Sequence, residues 1–481
     1  MAQHEIPAEG WSHQRVLDEM RSYGAQDVDY RAARTFSLVY WLGDEHTDFL
    51  KQAHGMYFSE NGLNPMAFKS LRRFENEVVR MAADMLHGDA QVVGTMTTGG
   101  TESCLLAVKT ARDRYRSRLL PGMRRPEVVM PESAHVAFRK GCHYFGLKQV
   151  TVPVGKDLRV DLKALKRRLS SRTALVVASA PGYPHGVVDP IEEIAALTRS
   201  RGIPLHVDAC LGGFLLPWVE KLGYPVPTFD FRVPGVTSMS ADIHKYGYAA
   251  KGASLILHRD ISYLRHQFNA IVDWSGGVYV SPTLMGTRPG GAIGAAWATL
   301  KAIGQDGYLE RTRGLMETTR RFREGIASIA GLEVLGNPVM SVMAFCSRDP
   351  DLYIYAVADE MDRRGWNIDR LQKPEALHVM LTPLHATVVD TWLADLREAV
   401  SLVRGHPELA ETGSAAMYGM VSKIPVKRLV EGSVIDMMAD MYGPDGGNLD
   451  PAAAAGSDDL VNRLGLAFTR MRRKVERRLG R

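Results

Sequence analysis

The chain predicts an α/β fold: a mostly parallel sheet with helices on both faces, followed by a smaller α/β unit. Three observations carry this. Between residues 127 and 257, short apolar runs alternate with stretches of helical periodicity. Several of those runs end in residues that can do chemistry, Asp208 and Lys245 among them. After about residue 308 the texture changes to an Arg- and Glu-rich helix and a set of short strands.

The bounds agree with this reading. At 481 residues the chain exceeds a single core, so two or three domains are expected. A hydrophobic content of 45% with 23% charged residues excludes a disordered chain and a membrane bundle. The net charge of +5 allows an anionic substrate without arguing for nucleic acid. Four cysteines, at 104, 142, 210 and 346, form no CxxC pair, which excludes a disulfide scaffold and suits a reducing cytoplasm. The first residues lack a signal-peptide pattern. No run reaches the roughly 18 apolar residues of a membrane helix. The expectation is a soluble, cytoplasmic enzyme with no transmembrane segment, no metal site and at most transient contact with a membrane surface.

Residues 58–65 (FSENGLNP) read as a loop, and Leu71, Phe74, Val78, Met81 and Met85 mark an amphipathic helix ending near His87-Gly88. The segment 94–103 crowds Thr and Gly before a helix that runs to about residue 118, so free backbone N–H groups and a positive helix end make a phosphate cradle. Strands are expected at 128–130, 149–154, 174–179, 203–207 and 255–257, with a helix at 160–169. Another helix should start at Asp189-Pro190, with Asp as its cap and Pro at its first position. A packed helix is expected at 290–300 and a charged one at 309–327. Strands at 332–335, 339–344 and 377–381, with helices at 353–364 and 388–404, make the smaller unit. A Gly/Asp/Pro-rich linker at 443–456 precedes a basic amphipathic helix at 460–479, read as a solvated face. The resulting division is 1–88 (N-terminal segment with dimer and active-site contacts), 89–308 (large cofactor-binding domain), 309–411 (small α/β domain) and 412–481 (tail).

In a parallel sheet, ligands bind beyond the carboxyl ends of the strands, which is where His135, Asp208 and Lys245 fall. A cradle at Gly99-Gly100-Thr101, a carboxylate at one strand end and a lysine at the next match the needs of pyridoxal 5′-phosphate. Its phosphate needs backbone N–H groups, its ring nitrogen a carboxylate, and its aldehyde an amine.

The blocks HVDACLGGF (206–214) and SADIHKYGYAAKG (240–252) resemble those of the sphingosine-1-phosphate lyase family, in the group II decarboxylase-like branch of fold-type I pyridoxal-phosphate enzymes. TTGGTES (97–103), SAHVAF (133–138), PHGVVDP (184–190), FDFRVPGVTS (229–238) and TRPGG (287–291) agree, and the likeness spans about 40–418. The resemblance implies a seven-stranded sheet and a homodimer with shared sites. It implies retro-aldol cleavage of phosphorylated sphingoid bases, sphingosine 1-phosphate giving 2-hexadecenal and phosphoethanolamine. Lys245 would bond the cofactor aldehyde, Asp208 would pair with the ring nitrogen, and His135 would stack on the ring. Gly100, Thr101 and His244 would hold the cofactor phosphate, with Gly286 and Thr287 reaching the neighbouring subunit's site. Tyr40, Tyr183, Lys251 and Tyr418 would line the substrate side. Tyr183, Lys245 and a cofactor phosphate oxygen are all open as the base.

Asn64 stands where many relatives carry an imidazole; it can donate a hydrogen bond but carries no charge. The N-terminal membrane helix of eukaryotic relatives is not among these residues. An amino-acid decarboxylase would share every cofactor residue, but Lys251 would then be surplus. A nucleic-acid binder working through the basic tail would have no use for an intact Asp208, His135 and Lys245.

Overall fold

The computed structural model describes residues 6–25, 27–117, 125–411, 415 and 427–443. The basic stretch 460–479, the 443–456 linker beyond its first residue, and Tyr418 lie outside the described residues.

The N-terminal layer holds α1 (His13–Gly24), α2 (Asp44–Gly55) and α3 (Lys69–Met85). The next unit runs β1 (Val93–Thr97), α4 (Gly100–Arg116), β2 (Glu127–Pro131), α5 (Ala137–Phe145), β3 (Lys148–Val152), α6 (Leu162–Arg168) and β4 (Thr173–Ser179). It continues through α7 (Ile191–Arg199), β5 (Leu205–Asp208), α8 (Leu216–Lys221), β6 (Val236–Ala241) and β7 (Ser254–His258). Helix α9 (Ile261–Leu264) leads to a hairpin of β8 (Asn269–Trp274) and β9 (Gly277–Ser281). The long α10 (Gly290–Ala327) then reaches β10 (Leu332–Val334), β11 (Val342–Ser347), α11 (Ile354–Arg363), β12 (Asp369–Gln372), β13 (Glu375–Met380) and α12 (Val389–Gly405). A further helix spans Lys427–Met441.

The main sheet has seven strands in the order β1-β7-β6-β5-β4-β2-β3. From β6 to β3 every pairing is parallel, and only β7 runs against its neighbours β6 and β1. Helices cover both faces, which is why β2, β4, β5, β6 and β7 are buried along their whole length and read as continuous apolar or small-residue runs. The β4, β5 and β6 ends, at Ser179, Asp208 and Ala241, lie side by side and form a shelf for the site. The second sheet, β10-β11-β13-β12, is antiparallel throughout.

Several local expectations are corrected. Pro190, not Asp189, is the cap residue of α7. The Asp189 carboxylate instead accepts hydrogen bonds from Val160 N (3.0 Å) and Ser179 N (2.9 Å), and so ties the end of β4 to the start of α6. Burial pushes this carboxyl up to about 6. The separate helices expected at 290–300 and 309–327 are borne out, because α10 is broken between them at Gly304, where φ is 60°. β11 starts at Val342, because Val339 and Met340 fill the core without joining a ladder; apolar spacing reports burial, not pairing. The β8–β9 hairpin and β12 carry no apolar alternation strong enough to mark them.

Residues 34–36 thread into the small unit. Thr35 bridges Asn367, Phe36 N donates to Asn367 O, and Met380 N donates to Phe36 O (2.9 Å). Phe36 is fully buried among Phe322, Trp366, His385 and Trp392. Truncating a buried aromatic removes contacts on all sides and leaves a cavity, at a cost of roughly 3–5 kcal/mol. Phe36→Ala is therefore expected to lower the melting temperature by several degrees, measured by circular dichroism; an unchanged melt would mean that this strap does not bear on the core.

Candidate active site

Lys245 follows β6 on a loop pinned from three sides. On one side Tyr246 Oη donates to Leu381 O (2.9 Å) and accepts from Ser341 Oγ (2.8 Å), both in the small unit. On another, Tyr308 of α10 donates to Gly247 O (2.8 Å). A Cβ on Gly247 would lie 2.5 Å from Ile243 O, so the turn needs glycine. On the third, His46 Nε2 hydrogen-bonds Tyr248 O (2.9 Å), holding Tyr248 at a left-handed φ of 59°.

The partner of the lysine is Asp242, which sequence reading passed over as a small polar residue. Lys245 Nζ lies 2.9 Å from Asp242 Oδ2, and the carboxylate is buried. Burial alone would lower the lysine, but the Asp242 charge outweighs it and the net direction is up. The same contact, against the effect of burial, leaves Asp242 below its ordinary value. In this arrangement the Asp242 carboxylate favours the ammonium form of the Lys245 amine. The signal was available: an acid three residues before a lysine, both at the end of a buried strand. Asp242 also accepts from Ser254 Oγ (2.5 Å), and Ser103, Ser254 and Thr97 continue that chain into α4 and β1.

Asp208 ends β5. Its Oδ1 accepts from Cys210 N and Ser240 Oγ, each at 3.1 Å. Beneath it, His206 Nδ1 and Nε2 meet Ser238 Oγ (2.9 Å) and Ser240 Oγ (3.3 Å), and burial pushes this imidazole down to about 4. Cys104 and Cys210 close around Asp208, with the three ligand atoms within 4.8 Å of one another. Ser179 Oγ, at the neighbouring end of β4, is buried without a protein partner among the described residues.

The cradle lies opposite. Helix α4 begins at Gly100, and a Cβ there would sit 2.6 Å from Asp242 Oδ2 and 2.9 Å from Cys210 Sγ. Glycine thus lets the helix N-terminus pack directly against Asp242 and Cys210, while its first N–H groups offer the anion-binding end of a helix beside the Asp208–Asp242 shelf. His244 closes the rim 3.5 Å from the Cβ position of Gly99. Its Nδ1 accepts from Ala253 N (3.1 Å), and burial pushes it down to about 4 against the pull of Asp242. A neutral ring whose Nδ1 accepts must carry its proton on Nε2, as a donor at the cradle. Carboxylate, lysine, glycine cradle and imidazole donor fit pyridoxal 5′-phosphate.

The other expected residues fall into two groups. Tyr40 stands beside the lysine: its ring meets Tyr246 edge-on at 4.9 Å, Lys251 Nζ lies 5.2 Å from its centroid, and its hydroxyl contacts Met380 Sδ. Lys251 Nζ donates to Leu38 O (2.7 Å), and burial and then Lys245 push the amine down. Tyr183 donates to Asp369 Oδ2 (3.0 Å) and packs on His378. His135 is exposed just past β2, its Nδ1 accepting from Ala137 N.

Asn64, Gly286 and Thr287 lie on loops other than the lysine's; of these Thr287 meets Asn61, whose Nδ2 donates to Thr287 Oγ1 (3.2 Å) and whose Oδ1 accepts from Arg288 N (3.2 Å). Asn64 Oδ1 accepts from Met66 N and Ala67 N, a turn that leaves its amide N–H₂ to solvent. Among the described residues no hydrogen bond joins this group to Lys245.

Sequence reading also missed two acids, buried Glu102 and partly buried Glu75, that hold these groups in register. Glu102 accepts from Thr98 N (2.7 Å) and Leu284 N (3.0 Å), tying the cradle to the loop before Thr287. Glu75 pairs with Arg288 at 2.6 and 2.9 Å and accepts from Met96 N.

Residues 57–348 match the family model described as pyridoxal-dependent decarboxylase conserved domain. The chain is 43% identical over 435 residues to a sphingosine-1-phosphate lyase of Arabidopsis thaliana, covering 89% of this chain and 79% of the relative. It is 42% identical over 443 residues to one of Rattus norvegicus, covering 92% and 77%. Among solved structures, a sphingosine-1-phosphate lyase of Burkholderia pseudomallei superposes with a TM-score of 0.81 at 40% identity, covering 84% of this chain and 94% of that one. A glutamate decarboxylase of Lactobacillus brevis, at 19% identity and a TM-score of 0.74, shares the fold. A lysine and an aspartate at adjacent strand ends, a glycine cradle beside them and this degree of identity along nearly the whole chain place it in the sphingosine-1-phosphate lyase family.

Proposed function

We propose that this chain cleaves the bond between the amine-bearing and hydroxyl-bearing carbons of phosphorylated sphingoid bases, giving a long-chain aldehyde and phosphoethanolamine. The observation that carries this reading is the second lysine. Lys251 shares the electrostatic surroundings of Lys245 and Asp242, yet the cofactor has its own phosphate cradle. A second cation in one cavity is useful when the substrate brings its own anion.

Gly100, Thr101, His244, Asp208 and Lys245 would hold pyridoxal 5′-phosphate, which supplies an electron sink for carbon–carbon cleavage beside an amine. Before the cofactor binds, the Asp242 carboxylate favours the ammonium form of Lys245, so the amine must give up a proton before it can attack the cofactor aldehyde. His244 offers an N–H at the cradle without adding charge. Lys251 would exchange the Leu38 carbonyl for the substrate phosphate. Tyr40 limits the motion of that ammonium from one side. His135 and Tyr183 are proposed for the ring face and the substrate hydroxyl, and Asn64 for a neutral contact to phosphate.

We further propose that the enzyme works as a homodimer in which Gly286 and Thr287 complete the neighbour's site. The surface supports this. The hairpin and the loop after it expose Val272, Trp274, Val278, Val280 and Met285, and α1 buries none of its residues. A 12-residue helix without a packed face is marginal in water, and a contiguous apolar ridge marks an interface. We retain the division 1–88, 89–308, 309–411 and 412–481 as a proposal; its second boundary falls inside α10, shortly after the break at Gly304.

The test is a product assay on sphingosine 1-phosphate beside amino acids. Aldehyde and phosphoethanolamine are expected; carbon dioxide from an amino acid, with no aldehyde, would replace the lyase reading by a decarboxylase. Lys251→Ala should lower kcat/KM by roughly 10- to 150-fold, the worth of one charge-assisted contact, with cofactor absorbance intact. An unchanged kcat/KM would remove Lys251 from phosphate recognition.

For the dimer, Lys245→Ala subunits should be mixed with Thr287→Glu subunits. One site of each mixed dimer then carries both defects and the other neither. Recovery of activity after proven subunit exchange is expected, and no recovery would mean that each subunit completes its own site.

A further inference from the structure

Tyr183 lies after β4 in the large unit, but its contacts belong to the small one. Its hydroxyl donates to Asp369 Oδ2 (3.0 Å) on β12, and its ring packs on His378 of β13, with centroids 4.4 Å apart and planes tilted by 33°. Asp369 and His378 face each other in the register of these two strands, so one cross-strand pair grips both ends of the tyrosine. A phenol whose proton is committed to a carboxylate can offer a ligand only its lone pairs.

We propose that Asp369 is a positioning residue: by taking the Tyr183 proton in a hydrogen bond, it turns the phenol oxygen toward the Lys245 side as a fixed acceptor for the substrate hydroxyl. This rests on the cleavage reading above and sharpens it. Tyr183 is near enough to feel the Lys245 charge, and Tyr40 in turn feels Tyr183. Burial and then Asp369 hold the Tyr183 phenol well above its ordinary value. The hydroxyl therefore stays protonated at rest, and its direction is what Asp369 supplies. The charged and titratable groups around it are Asp369 and His378 from the small unit and Lys245 and Tyr40 from the site side. The pair also spans the two units, so the placement of the small unit sets the placement of the acceptor.

The test is a double-mutant cycle on the holoenzyme, with Tyr183→Phe, Asp369→Leu and both changes together, read by kcat and by melting temperature. Asp369→Leu should lower kcat roughly 10- to 100-fold, the cost of a misplaced group, with KM little changed. In the Tyr183→Phe background the same change should cost no more than about twofold, because the group it positions is gone. Asp369→Asn, whose amide oxygen still accepts the phenol proton, should restore most of kcat. The melting temperatures of the four proteins give the readout free of activity, and their changes should likewise be non-additive. Additive losses of kcat in an active wild type, or a full effect of Asp369→Leu when Tyr183 is already Phe, would overturn the inference alone. A wild type unable to cleave the phosphorylated base would overturn the reading of function and this inference with it. Should Asp369→Leu fail to fold, Asp369→Asn with kcat below that of Tyr183→Phe would also count against it.

Discussion

The site is organised by one contact, the buried ion pair between Lys245 and Asp242. A carboxylate at a closed strand end is costly to desolvate, and losing one partner of such a pair costs roughly 3–5 kcal/mol because the other charge is stranded. Much of the surroundings serves to make the pair tolerable. Ser254 donates to the carboxylate, the loop after Lys245 is fixed by Tyr246, Tyr308 and His46, and Gly100 lets the positive end of α4 come close. The pair also favours the protonated form of Lys245. A group that binds beside it and carries its own negative charge can loosen that hold by competing for the ammonium.

Around this centre the two predicted units are not independent. Tyr246, one residue from the lysine, hydrogen-bonds Leu381 and Ser341 of the small unit, and Tyr183 reaches Asp369 there. Glu102 and the Glu75–Arg288 pair do the same for the loop bearing Thr287, each acid accepting backbone N–H groups from the cradle side while holding a group beyond it. Charge and backbone register are thus satisfied by the same side chains. A shift of either unit would leave buried acceptors unpaired, which is a steep penalty.

Much of the main sheet was legible because strands covered on both faces carry short apolar runs, as β2, β4, β5 and β7 do; β1 and β6, rich in Thr and Ser, were not among the strand ranges expected. The cradle, Asp208 and Lys245 could be proposed as a site because ligands gather at strand ends and helix starts; His244 came only from the family resemblance. Asp242 escaped notice because a carboxylate next to a lysine reads as solvated polar sequence until its burial is known. Glu75, Glu102 and Asp369 escaped because their partners lie far along the chain, and no spacing encodes a contact between residues 183 and 369. The hairpin escaped because its apolar residues face outward, so the period that marks a half-buried strand against its own core is missing. The two helical stretches of α10 were legible because Gly304 interrupts both the sequence pattern and the helical backbone.

The strand at 34–36 has a consequence for how the protein can be divided. Phe36 fills the space between Phe322, Trp366 and Trp392, and the same segment lends hydrogen bonds to Asn367 and Met380. Residues 34–36 are thereby built into the small α/β unit, far along the chain. A fragment beginning at the cradle would contain every cofactor residue of its own subunit and still be missing the keystone of its distant half. Two indoles and a phenyl ring would be left open to water. The minimal catalytic piece is set by this long-range closure rather than by where the chemistry sits, and proteolytic trimming from the front would disable the back before it touched the site.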